Sequence, residues 1–230
     1  MIGENVKRVF GEIADAALLS GRDPSEIILV AVAKTRTVGE IREAVKAGIT
    51  HLGENRVQEA AEKIPLLEKG PVWHMVGSLQ SNKAKVAAGL FDWIDSIHAR
   101  KTADILSGQA QNLGKTLQVL VQVNISGEVA KSGVVPEEAK DLVLYTESLP
   151  GLALRGLMTI GSFFVSPEVT RNEFRRMKIL FDSLRDDRLV KSRLDILSMG
   201  MSGDFQIAVE EGATMVRIGQ AIFGERRFGQ

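Results

Sequence analysis

The sequence predicts an α/β fold, a (β/α)8 TIM barrel forming one domain over 1–230, on three observations. Eight short apolar runs recur along the chain, helical segments fill the intervals between them, and polar or glycine residues follow the runs closely. Alternation of this kind favours a parallel sheet with helices outside it over a set of hairpins. A chain of 230 residues, 44% hydrophobic and 25% charged, can bury one sizeable core.

The first segment, MIGENVKRVFGEIADAALL, alternates charged and apolar residues at helical spacing, so an extra helix is expected ahead of the barrel. It lacks the continuous apolar core of a signal peptide or membrane span, which points to a cytoplasmic protein. The strands are expected at 27–33, 50–53, 72–76, 92–97, 117–123, 152–159, 194–198 and 214–218. Between them lie helix starts: a capping box from Thr37 to Glu40, Asn55 with Gln58, Ser81 before Asn82 and Lys83, the first-turn Pro136, and Ser166-Pro167-Glu168. Residues 126–133 (SGEVAKSG) read as a mobile βα loop.

Lysine plus arginine equal aspartate plus glutamate at 29 each, so no net field draws nucleic acid or an acidic membrane. With no cysteine, a disulfide framework and thiolate zinc sites are both excluded.

Barrel enzymes place their chemistry where strands end and helices begin. That rule selects Lys34, Glu54, Asn55, Ser78, His98, Asn124, Thr159, Ser202 and Gly219. Lys34 closes the run IILVAVA, and partial burial there favours the neutral amine that attacks aldehydes. Taken alone, a lysine at a strand end is more often simply solvated. The second signal is Ser202-Gly203 after the seventh run, with Gly219 and Gln220 after the eighth, which is where barrels build a phosphate site. Each segment alone could be helix capping or a tight turn. A lysine beside a phosphate cradle points to pyridoxal 5′-phosphate.

Arg217 interrupts the apolar strand MVRI and needs either an ion-pair partner or a ligand. Set against the pyridine nitrogen of such a cofactor, a guanidinium would leave that nitrogen unprotonated and weaken the ring as an electron sink. His51, His74 and His98 fall on or beside consecutive strands, without the His-x-His pairing that would support a metal site, so packing or turn roles are expected and no metal is assigned. Trp73 and Trp93 read as packing residues for the same reason.

Ordered segments along nearly the whole chain resemble the pyridoxal phosphate homeostasis proteins, the PROSC/YggS-like group. They are VAVAKT at 30–35, HLGENRVQE at 51–59, WHMVGSLQSNK at 73–83, VQVNIS at 121–126, KSG at 131–133, GLMTI at 156–160, SMGMSGDF at 198–205 and VRIGQAIFG at 216–224. The resemblance implies that Lys34 carries pyridoxal 5′-phosphate as a Schiff base. It further implies that Ser202, Gly219 and Gln220 hold the phosphate, that Arg217 faces the pyridine nitrogen, and that Asn55 lines the site. Ser78 departs from the pattern, since relatives often place histidine there. The implied role is intracellular pyridoxal phosphate homeostasis by a monomer with little or no catalytic activity, exchanging the cofactor with amino acids or with apoenzymes that depend on it.

The barrel also resembles the N-terminal domain of alanine racemases, which leaves a pyridoxal-phosphate-dependent amino-acid racemase as the alternative. Racemisation needs bases on opposite faces of the substrate carbon, and the second is usually a tyrosine. Here the single tyrosine, Tyr145, falls in a helical segment expected outside the barrel. A cofactor-free aldolase using Lys34 is a third, weaker reading.

Overall fold

A computed structural model describes residues 1–68, 70–162 and 165–225; the end of the expected 1–230 domain, 226–230, lies outside the described residues. In chain order the elements are α1 (Ile2–Leu19), β1 (Ile28–Val32), α2 (Val38–Lys46), β2 (His51–Glu54), α3 (Val57–Lys63), β3 (Val72–Met75), α4 (Ala84–Leu90) and β4 (Trp93–Ile97). They continue with α5 (Arg100–Asn112), β5 (Leu117–Val123), α6 (Ala139–Glu147), β6 (Leu152–Thr159), α7 (Pro167–Arg185), β7 (Ile196–Ser198), α8 (Phe205–Glu210), β8 (Met215–Ile218) and α9 (Gln220–Phe223). The strands pair in sequence order, all parallel, and β8 closes on β1. The expected (β/α)8 barrel is therefore the observed one. No helix among the described residues is long and apolar enough to cross a membrane.

Each strand is buried on both faces, which is why the runs read as continuously apolar. In β1, Val30 and Val32 point into the barrel with Val76, Leu120, Met158 and Met215, whereas Leu29 and Ala31 join the larger layer between strands and helices. Burying a side chain of this kind contributes about 1.5–3 kcal/mol, so the outer layer dominates the stability. Where β6 meets β7 the backbones approach so closely that only glycine fits. A Cβ at Gly156, whose φ is +153°, would stand 1.8 Å from the Ile196 carbonyl oxygen.

Parallel strands in sequence order bring every strand's C-terminal end to one mouth. There the capping box of α2 forms as expected: Thr37 Oγ1 accepts from the Glu40 N–H at 3.2 Å, and Glu40 Oε2 accepts from the Thr37 N–H at 2.8 Å. The box fixes the start of α2 four residues past Lys34. Two other expected caps differ. Asn55 does not cap α3, because Arg56 occupies that position, and Ser81 opens a single 3-10 turn, with its hydroxyl 3.2 Å from Thr102 Oγ1. The extra helix α1 packs on the outside, where Asn5 Nδ2 donates to the Ile222 carbonyl at 2.9 Å and Arg8 to that of Ala221 at 2.9 Å. Those bonds hold α9, and with it the turn after β8, against the barrel.

Candidate functional site

The mouth holds a cavity of about 580 Å³, and Lys34, Asn55, Ser202, Arg217, Gly219 and Gln220 all line it. Residues as far apart as 34 and 220 meet there because β1 and β8 are neighbours. Lys34 stands two residues past β1, half-buried at the rim. The volume falls in the range of small-molecule sites.

Ser202 does not cap a helix, since α8 begins at Phe205. Instead its Oγ accepts the Ala221 N–H at 3.2 Å, joining the turn after β7 to the first turn of α9. With a lone pair so engaged, the hydroxyl hydrogen is left to point elsewhere, and Ser202 lines the cavity. At Gly219 a Cβ would stand 3.3 Å from the Val32 carbonyl oxygen, so glycine gives this corner its room.

Arg217 projects inward from β8 and is buried. Its Nη1 donates to Ser198 Oγ at 2.5 Å and its Nη2 to the Thr159 carbonyl at 2.7 Å. Burial pulls its pKa below the usual arginine value, while Asp95 and Asp204 act the other way. A guanidinium keeps its proton in proteins, so the floor of the cavity carries a fixed cation.

The other residues selected at strand ends divide. Thr159 supports the site through its carbonyl, as just described. Glu54 faces away from the cavity and pairs with Lys63 at 2.6 Å. His98 turns back on its own strand, with Nδ1 3.0 Å from the Ser96 carbonyl. Asn124 organises the loop after β5, donating to the Glu128 carbonyl and accepting from Ser126 Oγ and the Gly127 N–H. That loop, expected to be mobile, is also tied across the mouth: Lys131 Nζ donates to the Gly161 carbonyl at 3.1 Å, and Ser132 Oγ to Ser78 Oγ at 3.1 Å.

Two charged cavity residues, Arg36 and Asp204, were not selected from the sequence. Arg36 is buried and donates to the Gly224 carbonyl at 2.5 Å and that of Glu225 at 3.1 Å, with its guanidinium 5.7 Å from the centre of the Phe223 ring. Asp204 accepts the Met201 N–H at 2.5 Å, and burial raises its pKa. The second cation just past Lys34, and the acid ending Ser202-Gly203-Asp204, were the available signals.

His51 and His74 belong to the barrel interior. His74 Nδ1 lies 3.1 Å from Asp95 Oδ1, and its Nε2 lies 2.9 Å from His51 Nδ1. The His74 ring stacks on Trp93 at 5.1 Å. Burial, then the neighbouring His74, pushes His51 down to about 4. Tyr145 sits in α6, outside the barrel, donating to Asp104 Oδ1 at 2.5 Å.

The arrangement brings an amine, a serine hydroxyl beside a glycine-containing turn and a buried cation into one cavity. Residues 21–227 match the family model of the alanine racemase N-terminal domain. A pyridoxal phosphate homeostasis protein of Pasteurella multocida is 41% identical over 232 residues, covering 100% of this chain and 99% of that protein. The chain belongs to the pyridoxal phosphate homeostasis protein family. Among solved structures it is similar to PipY of Synechococcus elongatus PCC7942 with PLP bound, at 36% identity and a TM-score of 0.81, over 92% of this chain and 100% of that one. Alanine racemase of Clostridium difficile 630 shares the fold, with a TM-score of 0.76 at 19% identity. This chain, 97% of it aligned, covers 57% of that enzyme.

Proposed function

We propose that this chain is a single barrel that binds pyridoxal 5′-phosphate on Lys34 as a Schiff base, and that it serves pyridoxal phosphate homeostasis with little or no catalysis of its own. The observation that carries the reading is the meeting of Lys34, the Ser202 and Gly219 turns and Arg217 in one cavity. When bound, the cofactor supplies an aldehyde that condenses with a primary amine and releases water. Lys34 supplies that amine. The Ser202 hydroxyl, the backbone around Gly219 and the Gln220 end of α9 cradle the phosphate, as in other barrels. Arg217, held by Thr159 and Ser198, would present N–H groups to the pyridine nitrogen, and Asn55 would line the same cavity. The protein is proposed to act in the cytoplasm as a monomer and to exchange the cofactor with amino acids or dependent apoenzymes.

Borohydride reduction of the loaded protein followed by peptide mapping tests the assignment. Label is expected on Lys34, with the chromophore lost in Lys34→Ala; label on any other residue overturns it. The racemase reading is favoured by the shared barrel and disfavoured by Tyr145, which is engaged with Asp104 outside the barrel. Exchange of an amino acid's α-proton for deuterium at enzymatic rates would establish that alternative in place of the carrier.

A further inference from the structure

A cluster of charged side chains, Glu54 fully buried and Lys63 and Glu59 13% and 23% exposed, holds the Lys34 turn from behind. Lys63 Nζ donates to Glu54 Oε1 at 2.6 Å, to Glu59 Oε2 at 3.1 Å and to the Ala33 carbonyl at 3.0 Å. Glu59 Oε2 accepts the Thr35 N–H at 2.9 Å, and Glu54 Oε2 accepts the Asn55 N–H at 3.3 Å. None of the three lines the cavity of about 580 Å³.

The placement is specific to Lys34. Peptide groups are planar, so the Ala33 carbonyl and the Thr35 N–H fix the two planes that meet at the Lys34 Cα. Arg36 N–H adds a third restraint, bonding the same Ala33 carbonyl at 3.0 Å. Thr35 itself is held at φ +61°, a left-handed conformation that a β-branched residue rarely adopts. Such strain persists only where the surroundings over-determine it, and it gathers at functional sites. Apolar packing around Glu54 would avoid the cost of burying its charge, so stability alone gives little reason for the Glu54–Lys63 pair here.

We propose that Glu59 and Lys63 are positioning residues: they lock the backbone on both sides of Lys34 and so present its amine to the cavity in one orientation. The inference rests on Lys34 being the point of cofactor attachment. Asn55 is steadied by the same cluster through Glu54.

The test uses the full chain with Glu59→Ala, Glu59→Gln, which keeps an acceptor for Thr35, and Lys63→Met. In Glu59→Ala, hydrogen exchange at the Thr35 amide without cofactor is expected to rise, and covalent capture of pyridoxal 5′-phosphate to slow, each by about tenfold or more. Affinity for pyridoxine 5′-phosphate, which has no aldehyde, should stay within about twofold, because capture depends on orientation and analogue binding does not. Glu59→Gln should restore both rates. Lys63→Met, which releases the Ala33 carbonyl, should slow capture as Glu59→Ala does with analogue affinity held, and it carries the comparison if Glu59→Ala does not fold. Unchanged capture in the alanine variant, a parallel loss of analogue binding, or failure of glutamine to restore the rates would overturn the proposal. Absence of capture on Lys34 in the unmodified chain would instead overturn the site assignment.

Discussion

Replacing Ser202 by alanine isolates the phosphate interaction from the rest of the site. The hydroxyl accepts the Ala221 N–H at 3.2 Å, so its own hydrogen is left to donate into the cavity. A hydrogen bond to a charged group contributes about 1.5–3 kcal/mol, which converts to a loss of affinity for pyridoxal 5′-phosphate of about 10- to 150-fold. The Ala221 N–H loses its acceptor at the same time, a cost of about 1 kcal/mol, or a melting temperature lower by about 2–4 °C. Pyridoxal, which has the aldehyde but no phosphate, should bind the variant as it binds the parent. Equilibrium titration of both compounds, with a melting curve for each protein, checks the set. Equal weakening of the two compounds, or a change of less than about threefold in the phosphorylated one, would refute the assignment of Ser202 to the phosphate.

Two further expectations concern the frame around the site. His51, held down to about 4 against an ordinary value of 6.5, is neutral in the folded protein and takes a proton on unfolding as the pH falls between those values. Its contribution is therefore complete above pH 6.5 and is lost toward pH 4, amounting by pH 5 to about 1–2 kcal/mol after discounting for partial exposure. His51→Asn, which keeps a hydrogen-bonding group toward His74, should flatten the fall in melting temperature over that window, and an unchanged slope would assign the dependence to other groups. Gly156→Ala forces a methyl to 1.8 Å from the Ile196 carbonyl oxygen. Loss of more than about 4 kcal/mol is expected, seen as a melting temperature lower by about 8 °C or more, and a variant melting like the parent would contradict the close approach of β6 to β7.

Period and punctuation made the barrel legible. Runs such as 117–123 and 152–159 coincide with β5 and β6 because strands buried on both faces stay apolar throughout. The seventh run began early, at 194, because Leu194 is buried ahead of the strand that starts at Ile196. Among the site residues, glycines and polar groups just past strands were visible as such. Arg36 was not, since a charged residue in a loop reads as solvated, and its burial depends on carbonyls at 224 and 225, brought near by β1–β8 pairing. Glu54 shows the complementary limit. Its place at a strand end was legible, but the register that turns Gly53 inward and Glu54 toward Lys63 was not.

On the proposed reading, the groups that hold Arg217 and the Lys34 turn also bear on why this barrel would hold a reactive aldehyde and do little with it. Carbanion chemistry on a pyridine ring is helped by a proton on the ring nitrogen, and a guanidinium supplies none. Arg217 is held where the proposed reading needs it by two buried acceptors, Ser198 Oγ and the Thr159 carbonyl, and swinging aside would break both bonds. On the other side of the cavity, the Lys34 backbone is clamped by groups bonded to Ala33 and Thr35. On the proposed reading, a rigid amine beside a weak electron sink would favour a stable, reversible linkage over turnover. Release of the cofactor to an incoming amine would require no second base, which fits a protein whose single tyrosine is engaged outside the barrel.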